Sequence, residues 1–168
     1  LTMSGKRLFN SAAAIEACDD KALTHLKLSG EAIPQPKTIL CPKTFPIAGY
    51  SHFEFLDYAE DILGYPMIIK ERFGSLGEQV YMAHSRAEAE NILKAINGRE
   101  AILQEHVTEG KDLRINIVGG EYIAAMRRIS DGDFRANISC GGRAERVQPS
   151  EEEIKLALNS CKALGLDF

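Results

Sequence analysis

Apolar residues recur at helix spacing in three segments of this chain, and each segment opens on the same polar signal. All three openings match S-x-x-E, the capping-box sequence in which two side chains satisfy free backbone N–H groups at a helix start: Ser51/Glu54, Ser85/Glu88 and Ser150/Glu153. Each predicted helix ends at or near a glycine: Gly64, Gly98 and Gly165. Two shorter helices are predicted over residues 11–18 and 21–28, the second capped by Asp19 or Asp20.

Short apolar runs between these helices are typical of strands. The predicted strands cover residues 37–41, 67–71, 79–83, 101–106, 112–118, 121–129 and 135–139. Gly119-Gly120 joins two of them, because paired glycines accept the positive φ angles of a tight hairpin turn. The pattern predicts an α+β fold with lobes over residues 65–108 and 109–168, and residues 1–64 form a linker and helices that pack on both.

Composition and charge narrow the classes of partner. The 168 residues are 45% hydrophobic and 26% charged, which is enough for a core, and the net charge of −4 gives no overall basic field for nucleic acid. No apolar run approaches the ~20 residues that cross a bilayer, so no membrane partner is expected. The four cysteines form no C-x-x-C pair, which indicates neither a zinc site nor a disulfide framework and favours a reducing cytoplasm.

One lysine ends the most apolar predicted strand. Lys70 follows Met67-Ile68-Ile69 and must reach solvent, an acid or a phosphate, because an unpaired buried charge is costly. The next segment, Gly74-Ser75-Leu76-Gly77, places glycines where backbone N–H groups can wrap an anion closely. Simpler interpretations stay open, namely an edge lysine that reaches solvent and an ordinary hairpin turn. The loop is not a Walker loop, since no Gly-Lys-Ser/Thr follows it.

Polar residues also stand at the ends of the next strands. Gln104-Glu105-His106-Val107 closes one strand, where backbone groups can meet an adenine edge or simply end the strand. Asp112 and Arg114 alternate onto the same face of the following strand. An acid there suits ribose hydroxyls, and a surface ion pair is an equal alternative.

A third polar group precedes the glycine pair Gly141-Gly142. Arg128, Arg135 and Asn137 come near this flexible pair in the sequence, and arginines can neutralise charge on a transferring phosphoryl group. A solvated basic rim is the simpler alternative. The four histidines show no metal-ligand spacing, so no metal ligand is named.

In their order and spacing these motifs resemble the ATP-grasp superfamily, and most closely its branch of RimK-like carboxylate–amine ligases of the alpha-L-glutamate ligase type. Residues 10–21, ending in Lys21, resemble the entry segment whose lysine contacts ATP, and Ile33-Pro34-Gln35-Pro36 resembles the connector that follows it. The strand that ends at Lys70 resembles the one whose lysine binds the α- and β-phosphates. Gln104-Glu105-His106-Val107 resembles the adenine hinge.

Two later segments extend the resemblance. Glu109-Gly110-Lys111-Asp112-Leu113-Arg114 resembles the ribose-binding E-G-x-D-x-R, and Asp133-Phe134-Arg135-Ala136-Asn137 with Gly141-Gly142 resembles the segment near the γ-phosphate. The resemblance implies an ATP-grasp fold, two α+β lobes with the nucleotide cleft between them. It implies the following cofactor-binding residues: Lys21, Lys70, Gly74, Ser75, Gly77, Gln104, Glu105, His106, Val107 and Asp112. Arg128 and Arg135 would stabilise the transferring phosphoryl group, with Asn137 orienting it.

The implied activity is ATP-dependent ligation of a carboxylate to an amine through an acyl-phosphate, with ATP and Mg²⁺ as cofactors. The amine would be glutamate or a similar amino acid, and the carboxylate would belong to a peptide, a protein or a small molecule. A homo-oligomer is a further expectation from the family. The alternative is an ATP-grasp module that binds ATP without catalysis. The D-F-R-x-N segment argues against a D-alanine ligase or carboxylase type.

Two departures from the family pattern bear on this expectation. Gln79 stands where the phosphate loop usually has its last glycine. The family's metal ligands, an aspartate and a later E-x-N, would lie beyond Phe168, and the family's N-terminal substrate domain is also expected outside this chain. The chain by itself is therefore expected to be inactive as a ligase.

Overall fold

The computed structural model describes residues 4–107, 110–130, 132–138 and 141–168. The chain divides into two compact units. Unit 1 combines Leu1–Pro34 with Thr108–Phe168, and unit 2 is Gln35–Val107. The predicted leading segment of residues 1–64 is thus divided at Pro34, since its first part groups with unit 1 and the rest with unit 2.

Helices and strands alternate irregularly along the chain, as an α+β fold requires. The helices are α1 (Ala12–Asp19), α2 (Lys21–Gly30), α3 (Phe55–Leu63), α4 (Arg86–Ala95) and α5 (Glu151–Leu164). The strands are β1 (Thr38–Leu40), β2 (Met67–Glu71), β3 (Val80–Ala83), β4 (Ala101–Glu105), β5 (Lys111–Val118), β6 (Glu121–Ile129) and β7 (Arg143–Arg146). The α+β fold class is confirmed.

The helix starts show which of the predicted caps form. At α5 the full capping box is present, because Ser150 Oγ accepts from Glu153 N and the Glu153 carboxylate accepts from Ser150 N at 2.7 Å. At α4 the box is half formed, since Ser85 Oγ accepts from Glu88 N while the Glu88 carboxylate accepts from His84 N. Asp20, rather than Asp19, caps α2.

The predicted capping box at Ser51 is wrong. Helix α3 begins only at Phe55, and its N-cap residue Glu54 makes no side-chain capping bond. Backbone bonds close the first turn instead, from Leu56 N to Phe53 O and from Asp57 N to Glu54 O. These i to i+3 bonds already satisfy donors that a serine side chain would otherwise take up.

Unit 2 forms its core between one sheet face and two helices. Its four strands are antiparallel in the order β1-β4-β2-β3. Alternate side chains of a strand point to the same face, and Met67, Ile69 and Leu103 are completely buried with Leu56 of α3 and Leu93 of α4. The other face of the sheet therefore carries the residues in between, which include two of the candidate site residues.

Unit 1 joins a three-stranded antiparallel sheet, in the order β5-β6-β7, to α1, α2 and α5. The predicted hairpin of β5 and β6 is confirmed, and its turn residues Gly119 and Gly120 have φ angles of 60° and 80°. Helix α5 packs on β5 and β6, and α1 and α2 pack on α5. Asn10 Oδ1 accepts from Asp167 N and Phe168 N, which fixes the segment after α5.

The last strand differs from the prediction. Residues 135–138 lie in no strand, because Arg135 N donates to Asp133 Oδ1 and Asn137 O accepts from Gly142 N, so the segment is built from turns. Residue 139 falls outside the described part of the chain. The strand in this region is β7, which is exposed throughout and charged except at Ala144, so no apolar alternation marks it in the sequence.

We predict that Ser150→Ala lowers the free energy of unfolding by about 1 kcal/mol, because it removes the capping bond to Glu153 N. Ser51→Ala is the matched control, and its effect is expected to stay within about 0.5 kcal/mol. Urea unfolding followed by circular dichroism measures both. Equal losses in the two variants would contradict the difference between the two helix starts.

Candidate functional site

Lys70 and Gln104 meet on the sheet face of unit 2 that points away from the core helices. Lys70 Nζ donates to Gln104 Oε1 at 2.6 Å, across the antiparallel pair of β2 and β4. Gln104 Nε2 in turn donates to Thr38 Oγ1 on β1 at 2.8 Å. Three adjacent strands thus contribute to one polar row, in which all three side chains are half-buried.

The predicted glycine loop follows β2 and is mostly exposed. Glu71 N donates to Gln79 O at 3.0 Å, which closes the loop at its base. Gly74 and Gly77 have φ angles of 127° and 84°, in the region that favours glycine. Leu76 also has a positive φ of 60°. The loop therefore holds a backbone shape that depends on its glycines.

Gln79, the departure from the family's glycine, packs its side chain against Gly74. A Cβ placed on Gly74 would lie 2.3 Å from Gln79 Oε1, closer than any real Cβ contact, so the carboxamide fills that space. Gln79 Oε1 is buried and has no hydrogen-bond partner among the described residues. The larger side chain at position 79 is thus accommodated by the absence of one at position 74.

The predicted hinge residues have different environments. The Glu105 carboxylate accepts from Lys37 N at 2.7 Å, and Glu105 N donates to Lys37 O, so its side chain holds the edge of the sheet. His106 Nε2 is buried without a hydrogen-bond partner in the part of the chain that the structure describes. Val107 is exposed. A buried imidazole nitrogen with no such partner is the kind of group that a bound ligand can satisfy.

In unit 1 the hairpin of β5 and β6 brings two predicted residues together. Asp112 lies directly opposite Arg128 in the register, and both oxygens of the carboxylate accept from the guanidinium, at 2.7 Å from Nε and 2.6 Å from Nη2. The Arg128 side chain is 18% exposed. The hydrogen bonds that Arg128 donates to Asp112 raise the pKa of Arg128 above its ordinary value. The predicted ribose acid and phosphoryl-binding arginine therefore form one bidentate pair.

Arg135 forms a second bidentate contact, with Asp133 two residues earlier. From the guanidinium, Arg135 Nη2 donates to Asp133 Oδ2 at 2.8 Å and Arg135 Nε donates to Asp133 Oδ1 at 3.1 Å; the backbone Arg135 N also donates to Asp133 Oδ1, at 2.8 Å. These bonds from Arg135 hold the pKa of Asp133 below its ordinary range. Asp133 was not among the predicted site residues, although its place in the D-F-R-x-N segment was a signal for it.

Backbone bonds set this turn beside the open end of the hairpin. Gly110 N donates to Phe134 O at 3.2 Å, and Ser130 N donates to Gly110 O at 2.7 Å. A Cβ on Gly110 would lie 2.6 Å from Asp133 O, so the close approach requires glycine there. The two arginine–aspartate pairs are thus carried by segments that meet at Gly110.

The other predicted residues of unit 1 are placed by local structure. Lys21 is the first residue of α2, directly after the buried cap Asp20. Asn137 lies in the turn that Gly142 closes. A Cβ added to Gly142 would lie 2.8 Å from Ala136 O.

In unit 2 the sequence did not predict Thr38 as a site residue, because a single threonine in a short strand carries no motif. Only the strand register places it beside Gln104.

The described residues can be tested for the groups that the family implies. A lysine amine beside a glycine loop and a buried, unpartnered imidazole nitrogen fit a nucleotide with its phosphates. No group of three or more His, Cys, Asp and Glu side chains in the described ranges is placed to hold a metal ion. No helix in those ranges is long and apolar enough to cross a bilayer.

The architecture of the chain is that of an ATP-grasp domain. The solved structure of a RimK domain protein ATP-grasp from Sphaerobacter thermophilus superposes with a TM-score of 0.74 at 20% identity, over 99% of this chain and 58% of that chain. At this identity the likeness shows the fold alone. The predicted ATP-grasp fold is confirmed.

Sequence comparison gives the family within this class. The RimK-like ATP-grasp domain model matches residues 18–168, and the chain belongs to this family. A probable alpha-L-glutamate ligase of Maridesulfovibrio salexigens is 34% identical, over 99% of this chain and 54% of the relative. Beta-citrylglutamate synthase B of Danio rerio is also 34% identical, over 99% of this chain and 41% of the relative. The chain thus spans about half the length of the curated relatives it matches.

The Asp133–Arg135 contact predicts a pH dependence. Because the pKa of Asp133 is lowered in the folded chain, the contact contributes stability above the ordinary value of 3.8, and this contribution is lost as the pH falls through the lowered pKa. In a carbon-13 carboxyl titration we expect Asp133 to titrate below 3.8. In Arg135→Gln the midpoint should move up toward that value.

Arg127→Gln is the matched control, because Arg127 pairs with Glu145 on the same sheet and not with Asp133. Its Asp133 midpoint should equal that of the unchanged chain. An Asp133 midpoint in Arg135→Gln that does not rise would show that the Arg135 guanidinium does not hold the carboxylate in its charged form.

Proposed function

We propose that the protein is an ATP-dependent ligase that joins a substrate carboxylate to the amine of an amino acid. The observation that carries the proposal is the Lys70 amine, which donates to Gln104 on the sheet face away from the core helices and is followed by the glycine loop. We propose that the anionic partner of this amine is the phosphates of ATP, which membership of the RimK-like ATP-grasp family supports. ATP, when bound, supplies the phosphoryl group that turns a carboxylate into an acyl-phosphate open to attack by the amine.

Unit 2 supplies the groups that would hold the nucleotide. The Lys70 ammonium would contact the α- and β-phosphates, and backbone N–H groups of residues 74–77 would cover them, with Ser75 and the two glycines as the predicted contacts. Gln104, Glu105, His106 and Val107 are the predicted hinge residues. His106 Nε2 would gain a hydrogen-bond partner from a bound base, which supports a ligand at this strand end.

Unit 1 supplies acidic and basic groups for the sugar and the transferring phosphoryl group. Asp112 accepts one bond on each oxygen from Arg128, and a carboxylate has further lone pairs for ribose hydroxyls. The contact with Asp112 uses Nε and Nη2 of Arg128, so Nη1 takes no part in that contact. Arg128 and Arg135 would neutralise charge that develops during transfer, and each guanidinium is held by an aspartate before any ligand binds. Lys21 and Asn137 are proposed to contact ATP and to orient the phosphoryl group.

The names of two relatives favour glutamate as the amine. One is a probable alpha-L-glutamate ligase and the other is a beta-citrylglutamate synthase, at 34% identity each. We therefore propose glutamate or a similar amino acid as the nucleophile, and a peptide, protein or small molecule as the carboxylate. Mg²⁺ is proposed as the ion that accompanies ATP, and no step is assigned to it.

An ATP-binding module without ligase activity is the second candidate. It is favoured by Gln79, whose buried carboxamide fills the loop where the family pattern has a glycine. A module would bind ATP and release no ADP when glutamate and a carboxylic acid are added. The ligase would release ADP only in the presence of both.

Lys70→Ala should weaken ATP binding about tenfold or more, because a charge-assisted hydrogen bond to a phosphate contributes about 1.5–3 kcal/mol. Calorimetry with ATP measures the change. Lys94→Ala is the control, since Lys94 is an exposed residue of α4 in the same unit and pairs with Glu90. An unchanged ATP affinity in Lys70→Ala would remove Lys70 from the site.

Arg135→Ala should lower turnover by about 100-fold or more and change ATP affinity much less, because a charge that acts on the transition state contributes little to the bound ground state. An ADP-release assay with glutamate and a panel of carboxylic acids, run on the whole protein, gives the turnover. Arg127→Ala is the matched surface control. Equal losses of turnover and affinity would contradict the proposed role of Arg135.

A further inference from the structure

A continuous chain of hydrogen bonds leads from the backbone of unit 2 to the Lys70 amine. Thr38 Oγ1 donates to Pro36 O at 2.9 Å, Gln104 Nε2 donates to Thr38 Oγ1 at 2.8 Å, and Lys70 Nζ donates to Gln104 Oε1 at 2.6 Å. All four residues belong to the same unit. Thr38 and Gln104 are also direct register partners, so strand pairing fixes the middle of the chain.

The two ends of this chain determine the direction of every bond in it. A backbone carbonyl only accepts, so the Thr38 hydroxyl donates its one proton to Pro36 O. Toward Gln104 the same hydroxyl can therefore only accept. The carboxamide of Gln104 therefore turns its NH₂ group toward Thr38 and its oxygen toward Lys70. A lysine ammonium only donates, so it matches that oxygen and would repel the opposite orientation. One threonine hydroxyl thus selects the orientation of the amide that faces Lys70.

This arrangement restrains a side chain that is flexible elsewhere. A lysine has four rotatable bonds and loses about 2 kcal/mol of rotamer entropy when it is fixed. Where the protein holds the amine beforehand, a ligand does not have to supply that ordering free energy. Gln104 Oε1 takes one of the three N–H donors of Lys70, and Thr38 holds Gln104 in place.

We propose that Thr38 and Gln104 are positioning residues that hold the Lys70 amine for a polyphosphate ligand. This inference rests on the proposed ATP-dependent function. In this proposal the Gln104 side chain acts on phosphate binding, because it holds the amine of Lys70. The hinge prediction instead assigned Gln104 to the adenine base. Loss of the Thr38 hydroxyl should therefore affect phosphate-bearing ligands and leave the nucleoside unaffected.

The test compares ATP, ADP and adenosine binding by calorimetry in the unchanged chain, Thr38→Val, Thr38→Ser and Lys70→Ala. Thr38→Val has the same shape without the hydroxyl and should weaken ATP and ADP binding about 3- to 10-fold, as one lost hydrogen bond predicts. Adenosine binding should stay within about twofold, and Thr38→Ser should restore ATP affinity. In the Lys70→Ala background, Thr38→Val should cause no further loss of ATP affinity, because the two residues act as one unit.

A second measurement needs no nucleotide. Trace acylation at fixed pH, quantified by peptide mass spectrometry, reports how readily the Lys70 amine reacts relative to the exposed Lys94. Thr38→Val should raise the relative labelling of Lys70 about twofold or more, and Thr38→Ser should return it to the original rate. An unchanged labelling ratio, or an equal loss of ATP and adenosine affinity in Thr38→Val, overturns the proposal.

The outcomes separate this inference from the function on which it rests. If the whole protein binds none of the three ligands, the ATP-dependent function fails and the positioning role fails with it. If the unchanged chain binds ATP through Lys70 and Thr38→Val binds it equally well, only the positioning role is overturned. Urea unfolding of each variant identifies a loss of binding that comes from misfolding, and Thr38→Ser then decides the case.

Discussion

The antiparallel pairing of β2 with β4 determines both the core and the candidate site of unit 2. In this register Met67, Ile69 and Leu103 face the helices, and Lys70 and Gln104 face the other way. A slip of one residue would send every side chain of a strand to the opposite face. The lysine amine would then enter the apolar core, where an unpaired charge costs several kcal/mol. The same burial that stabilises the sheet therefore keeps the amine on the face that points away from these helices.

In unit 1 the candidate site depends on the orientation of two arginines, Arg128 in a strand and Arg135 in a turn, which are both partly exposed to water. Each guanidinium meets an aspartate through at least two bonds, one pair across a strand register and the other within a turn. Planar, bidentate contacts define the orientation of a guanidinium in a way that a lysine ammonium cannot match. The free-energy cost of desolvating these charges stays modest because the side chains remain partly exposed. Such pairs leave the arginines charged and oriented, which suits recognition of an anion.

Most of the fold was predictable because local signals and burial agree. Capping residues, glycine ends and apolar spacing mark the helices, and the Gly119-Gly120 turn marks the hairpin. The wrong predictions concern elements that are held by backbone hydrogen bonds and not by characteristic side chains. Helix α3 closes its first turn through Phe53 O, and β7 is held by pairing with β6 although its own side chains are exposed. Neither feature leaves a pattern of residue types.

The candidate site was predictable to the extent that motifs name residues, and the structure adds which of them contact one another. Asp112 and Arg128 are 16 positions apart and carry no joint signal, yet the hairpin register pairs them. Thr38 and Gln104 are 66 positions apart, and their contact depends on β1 lying beside β4.

The contact between Gly74 and Gln79 has an evolutionary consequence. A Cβ at position 74 would meet the far end of the flexible Gln79 side chain, which can move away, whereas the φ of 127° at Gly74 disfavours any residue with a side chain. A descendant of this sequence that lost Gln79 would therefore still need glycine at position 74 to keep this loop conformation. Substitution in this loop is thereby constrained by the backbone conformation at position 74 more than by the side chain at position 79.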